Sequence, residues 1–170
     1  MALPLVVYHI LQDDPRKNTA RKLARFRLVD LVERLREIPR GGVLLDPYAE
    51  QALSREDRPA AHKAGVVAFD CSWTRAEEDF PAVRPKTRPR ALPFLVAGNP
   101  TKFGTPFQLS TAEGLAAAAW ILGERGQAET LMAKFAWGHT FLEMNLEPLE
   151  AYAAASTSAE VVAAQAEFLG

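Results

Sequence analysis

Asp70, Cys71, Ser72 and Trp73 stand together directly after an apolar run, Val66 to Phe69. A carboxylate, a thiol, a hydroxyl and an indole in consecutive positions offer a general base, two nucleophiles and a stacking surface. Ser72, His62 and Asp70 contain the residue types of a hydrolase triad, but no G-x-S-x-G elbow frames the serine. His9, His62, His139 and Cys71 lack the paired spacings, such as H-x-x-x-H or C-x-x-C, that a metal site uses, and read better as core or surface residues. Neither a P-loop nor a G-x-G-x-x-G fingerprint is present. What remains is a triple: Thr19 at a helix start, Asp70 to Trp73 at a strand end, and the loop after Leu92. On pattern alone this is a ligand cleft. Asp70 as a helix N-cap and Trp73 as a packed aromatic are the plainer alternatives.

The elements that must position these residues alternate between short apolar runs and helical patterns. Leu5 to Ile10 reads as a first strand, Arg16 to Leu35 as a helix, Val43 to Leu45 and Val66 to Phe69 as further strands. Ser54 with Asp57 three residues on reads as a helix start for the segment through Ala64, with Gly65 as its stop, and Ser110 with Glu113 is spaced as a capping box. Leu92 to Ala97, between Pro93 and the turn formers Gly98, Asn99 and Pro100, reads as a strand buried on both faces. An Ala-rich helix follows Ser110. Glu77 to Arg88 is charged and Pro-rich and reads as an exposed connector. After Gly126 helices dominate: Glu129 to Phe135, Gly138 to Leu146, Leu149 to Ala155, and Ala159 to Phe168 behind a Thr157/Glu160 box. Buried strands alternating with helices predict an α/β fold with a largely parallel sheet, in two lobes spanning 1–88 and 89–170.

The 170 residues are 48% hydrophobic and 24% charged, enough for a core without staples. A single cysteine excludes an intramolecular disulfide, and no apolar run reaches the ~18 residues of a membrane span. The first residues read as a strand, not a signal peptide, so a cytoplasmic protein is expected. Net charge is -1, but Arg16, Lys17, Arg21, Lys22, Arg25 and Arg27 cluster early, and Arg84, Lys86, Arg88, Arg90 and Lys102 follow without an acidic residue among them. Such segments suit a polyanion, or are a solvated basic face.

Five blocks go further. DPRKNTARKLAR (Asp14 to Arg25), VVAFDCSW (Val66 to Trp73), RALPFLVAGNPTKFG (Arg90 to Gly104), STAEGLAAA (Ser110 to Ala118) and KFAWGHTFLEMN (Lys134 to Asn145) resemble, in order and spacing, the small-subunit ribosomal RNA aminocarboxypropyltransferases. The sequence departs from the usual pattern at Asn18, often Cys, and at Ala20, often Gly. The resemblance implies a SPOUT-like fold with a C-terminal trefoil knot and S-adenosylmethionine as co-substrate. It implies transfer of the 3-amino-3-carboxypropyl group to N3 of a pseudouridine, N1-methylated in many organisms, in small-subunit ribosomal RNA, with methylthioadenosine released. By matching positions it makes Thr19, Val67, Leu92, Phe107 and Thr111 donor-binding residues and puts Asp70 and Trp73 beside the transferred group, without a metal. A monomer is expected. The competing readings are a methyltransferase on the same fold and a non-catalytic RNA-binding assembly factor.

Overall fold

The computed structural model describes residues 2–10, 19–71 and 73–169, with the backbone alone of Trp73. In chain order its elements are β1 (Leu5–His9), α1 (Thr19–Arg25), β2 (Asp30–Val32), β3 (Val43–Leu45), α2 (Arg58–Ala64), β4 (Val66–Asp70), α3 (Trp73–Val83), β5 (Arg88–Arg90), α4 (Thr111–Ile121), α5 (Arg125–Met132), α6 (Gly138–Met144), α7 (Leu146–Ala154) and α8 (Ser158–Leu169). The strands form one sheet in the order β2-β1-β4-β3-β5, every pair parallel, as the apolar runs predict. Because successive side chains alternate across a strand, each run feeds two cores. Leu5, Val7, Val43, Val66 and Ala68 face the larger one, beneath α1, α2 and the C-terminal helices. Val6, Tyr8, Leu44 and Val67 face a smaller one covered by Ala76, Phe80 and Val83 of α3.

That packing corrects the reading of Glu77 to Arg88 as a connector. Ala76, Phe80 and Val83 recur at helical spacing and are buried, so the segment through Val83 is helical despite Pro81, and a short 3-10 turn, Arg84–Lys86, leads into β5. A second correction falls between Arg16 and Leu35, of which 16–18 lie outside the described residues. The helix stops at Arg25. Arg27 adopts φ 60, Leu28 N–H bonds Leu23 carbonyl at 3.0 Å and Arg27 N–H bonds Ala24 carbonyl at 2.9 Å. This is a Schellman ending with arginine where glycine usually signals it, and it frees the chain to form β2.

The third correction concerns Leu92 to Ala97, which is not a regular strand; among the described residues one isolated bridge, Val96 with Pro106, falls within it, and another, Ala52 with Ala91, stands just before it. Leu95 and Ala97 pair with the backbone of Gly104, Thr105 and Phe107, while Phe94 and Val96 are satisfied by side chains from the helical region. Asn145 accepts from Val96 N–H and donates to Val96 carbonyl, both at 2.9 Å, as a neighbouring strand would. Gln165 accepts from Phe94 N–H at 2.7 Å and Tyr152 donates to Phe94 carbonyl at 2.8 Å. These bonds meet the requirement that buried backbone groups be paired.

The capping boxes at Ser54/Asp57 and Ser110/Glu113 form, the first opening a 3-10 turn ahead of α2, and Gly65 closes α2 at φ 93. At Thr157/Glu160 only half forms: Thr157 caps Glu160 N–H, while the Glu160 carboxylate takes Ser156 N–H. Helix α4 is buried on every side from Ala112 to Ile121, which its small side chains permit, and it packs on β4, α1, α5 and α7. Among the described residues no helix is long and apolar enough to cross a membrane.

Candidate active site

The carboxyl edge of a parallel sheet is where the next turns open and where ligands bind in such folds. Two central strands end there side by side: His9, last in β1, pairs in register with Asp70, last in β4. His9 Nδ1 donates to Asp70 Oδ2 at 2.9 Å. Thr111, first in α4, donates from its hydroxyl to Asp70 Oδ1 at 3.3 Å. One residue on, Ala112 N–H donates to the hydroxyl of Thr19, first in α1, at 3.2 Å. Thr19, Asp70 and Thr111, predicted from widely separated stretches, thus belong to one cluster where β1, β4, α1 and α4 meet. Asp70 keeps about a quarter of its side chain exposed (24%), whereas His9 is 3% exposed.

The donor-loop residues are distributed around this cluster. Leu92 is half-buried and packs against the main core; at Gly114, in the first turns of α4, an added Cβ would meet Leu92 Cδ1 at 3.7 Å and Leu45 Cδ1 at 4.0 Å. Leu45, Leu92 and Gly114 therefore form an apolar wall next to Thr111. Phe107 is exposed, holds φ 61, donates its N–H to Leu95 carbonyl at 3.0 Å and sets its ring edge-on to Phe94. A bulky residue in the left-handed region is strained, and where no helix end calls for it, as one does at Arg27, such strain clusters at ligand sites. Val67 does not join them: its side chain is fully buried in the smaller core. The backbone of Trp73 opens α3; its side chain, like Ser72 and the stretch 11–18, lies outside the described residues.

The loop carrying these residues is anchored at one carboxylate. Glu113, fully buried, accepts from Gly98 N–H (2.7 Å) and Asn99 N–H (3.0 Å) at one oxygen. At the other it accepts from the Asn99 amide (2.7 Å) and Ser110 N–H (2.9 Å). Gly98 must lack a side chain, since a Cβ would stand 2.7 Å from Phe141 Cα.

Charge and burial limit the remaining chemistry. Burial, reinforced by Asp79 and Asp70, pushes the Cys71 thiol up to about 11, so it is not a nucleophile at neutral pH. Among the described residues no group of three His, Cys, Asp or Glu side chains could hold a metal ion. Part of the second basic segment turns inward: Arg84 pairs with buried Asp46, Arg90 with buried Asp57, and Lys86 donates to Leu35 carbonyl. The Asp46 hydrogen bonds raise the Arg84 guanidinium further, while burial lowers the Lys86 ammonium. These cations hold the β3–β5 side together, a structural use that charge counting did not foresee. His9 was also missed; its one signal, an apolar strand ending in histidine two helical units before Asp70, is too common to select it.

A parallel α/β sheet with a hydroxyl and carboxylate cluster at its carboxyl edge defines a ligand-binding α/β protein, and comparison narrows the class. Residues 43–169 match the family described as "Ribosome biogenesis protein, C-terminal". Over 168 residues, 98% of this chain and 95% of the relative, the sequence is 49% identical to a 16S rRNA aminocarboxypropyltransferase of Methanosarcina mazei. A 16S rRNA aminocarboxypropyltransferase of Methanopyrus kandleri is 50% identical over 165 residues, 97% of this chain and 98% of the relative. Among solved structures, the SAM-dependent rRNA:acp-transferase Tsr3 from Vulcanisaeta distributa superposes with a TM-score of 0.87 at 38% identity, covering 99% of this chain and 97% of that one. The chain belongs to this ribosome biogenesis family of 16S rRNA aminocarboxypropyltransferases.

Proposed function

We infer that this chain transfers the aminocarboxypropyl group of S-adenosylmethionine to small-subunit ribosomal RNA during ribosome biogenesis. The observation that carries the reading is the hydrogen-bonded cluster joining Thr19, Thr111 and Asp70 beside the apolar wall of Leu45 and Leu92. These residues fit such a donor: the hydroxyls suit its polar chain and the wall its adenine, while the carboxylate stands ready to take a proton from the acceptor. The donor supplies a carbon made electrophilic by the adjacent sulfonium.

In the finer reading, Thr19 keeps its O–H to donate to the donor carboxylate while its oxygen accepts from Ala112. Leu92 and the Phe107 carbonyl hold adenine, the Phe107 N–H being occupied by Leu95. Thr111 ties Asp70 to α4, and Val67 supports the strand from within the core. Trp73, with Leu45 and Pro47, turns the methyl group away from the RNA, so that orientation selects which carbon reacts. Asp70 takes the proton from N3 of the pseudouridine. The N3–carbon bond forms, the carbon–sulfur bond breaks, its electron pair stays on sulfur, and methylthioadenosine leaves.

A SPOUT-like trefoil knot through the loop 91–110 and α4 belongs to the same proposal. It draws support from the way α4 is enclosed by α1, β4, α5 and α7. Division into lobes near 88/89 is supported by the order of elements, since β5 ends the sheet and only helices follow. A cytoplasmic monomer completes the reading.

The test is product analysis with labelled donor and small-subunit ribosomal RNA. Methylthioadenosine release is expected. S-adenosylhomocysteine release would make the chain a methyltransferase, and RNA binding without either product would make it a non-catalytic assembly factor. Asp70→Ala should lower turnover by about 10²–10⁴, the usual worth of a general base, with donor affinity little changed. Unchanged turnover with weakened donor binding would reassign Asp70 to electrostatic support of the donor.

A further inference from the structure

Asp70 is held from both sides, and only one holder, Thr111, is on the donor-binding helix. The other is His9, buried on the neighbouring central strand and in register with it. A carboxylate only accepts hydrogen bonds, so the hydrogen shared at 2.9 Å sits on His9 Nδ1. The opposite ring nitrogen, Nε2, is buried with no hydrogen-bond partner among the described residues. A buried polar atom without a partner is costly, and an apolar side chain of similar volume would fill the same space without that penalty. Packing therefore does not explain a histidine here, whereas its Nδ1–H does.

We propose that His9 is a positioning residue for Asp70. Its Nδ1–H fixes Oδ2 while the Thr111 hydroxyl fixes Oδ1, so the plane of the carboxylate is set by two donors on different elements. One oxygen each is engaged, and the remaining lone pairs are left for the incoming proton. The imidazole acts on the reaction only through Asp70; it touches neither donor nor RNA. The inference rests on the proposed role of Asp70 and extends it to the residue that orients it.

The experiment uses the full chain with labelled S-adenosylmethionine and small-subunit ribosomal RNA, measuring kcat at saturation, donor Kd by equilibrium dialysis and the urea midpoint. His9→Leu removes the donor group at similar volume. His9→Asn places an amide N–H near the Nδ1 position, and His9→Gln reaches towards Nε2 instead. Expected is a kcat about tenfold or more lower in His9→Leu, comparable to losing one charge-assisted hydrogen bond at a reacting group, with donor Kd within about twofold. His9→Asn should recover most of that loss and His9→Gln little of it. In an Asp70→Asn background His9→Leu should add nothing to the kcat loss, because the two changes act on one unit.

An unchanged kcat in His9→Leu, a parallel loss of kcat and donor affinity, or equal behaviour of folded His9→Asn and His9→Gln would each overturn the proposal. Should His9→Leu fail to fold, the comparison of His9→Asn with His9→Gln decides alone. A loss in Asp70→Ala with none in the His9 variants removes only the positioning role. No loss in either removes the role of Asp70 as well.

Discussion

Cys71 and Asp70 are neighbours in the chain with opposite fates. Asp70 ends β4 with its carboxylate partly open and twice hydrogen-bonded, while the Cys71 thiol is turned into a less polar environment that raises it from 9.0 to about 11. A thiol raised in the folded state binds its proton more tightly there than in the unfolded chain. Its contribution to stability is complete below about pH 9 and is lost as pH rises through about 11. Urea unfolding followed from about pH 8.5 to 11 should show stability falling, with a shallower fall in Cys71→Ser. Tyr152, raised by burial to about 12, contributes with the same sign at higher pH and remains in the variant. Equal slopes for the two proteins would mean that the thiol is not buried as described.

At the scale of elements, the irregular segment from Ala91 to Ser110 is ordered without being a strand or a helix. Its backbone is gripped by Asn145, Tyr152 and Gln165, and its far end by the four hydrogen bonds of Glu113. Glu113→Ala would leave buried backbone donors at Gly98 and Asn99 without acceptors, each costing about 1–3 kcal/mol. The expected result is a loss of roughly 3–5 kcal/mol in urea unfolding together with much weaker donor binding, since the loop that carries Leu92 and Phe107 loses its anchor. A variant as stable as the parent but unable to bind donor would show that Glu113 serves the ligand and not the loop.

These elements also mark what the sequence can convey. Val43 to Leu45, Val66 to Phe69, the helix start at Ser54 and Asp57 and the capping box at Ser110 and Glu113 depend on neighbours within a few residues, and each was legible. The stop at Arg27 was not, because the left-handed residue that ends α1 is not the glycine that advertises such a turn. Leu92 to Ala97 misled for a different reason: an apolar run bounded by turn formers looks the same whether its partner is a strand or the side chain of Asn145, 49 residues from Val96. Of the site, Thr19 and Asp70 stood out by their places at a helix start and a strand end, Thr111 came from resemblance, and their meeting is a property of topology. His9 carried only the signal of a histidine ending an apolar strand, which many core histidines share.

Across the whole molecule the larger core takes Leu5, Val43 and Val66 from one side of position 88 and Leu115, Leu131 and Tyr152 from the other. Lobes sharing a core should unfold together. A single transition with coincident midpoints by circular dichroism and by tryptophan fluorescence is expected. Two separated transitions would show that each half holds its own core.

The pairing of His9 with Asp70 spans 61 residues, and it lies at the middle of the sheet, not its edge. In terms of synthesis, β1 can meet β2 soon after it leaves the ribosome, but its other edge must wait for β4. At about 5–20 residues per second that wait is on the order of 3–12 s, longer than most small domains take to fold. A protein that serves ribosome assembly thus begins life with one edge of an inner strand uncovered, and its nascent chain should be more prone to association than the finished fold. The carboxylate that the reaction needs becomes available only when that delay ends.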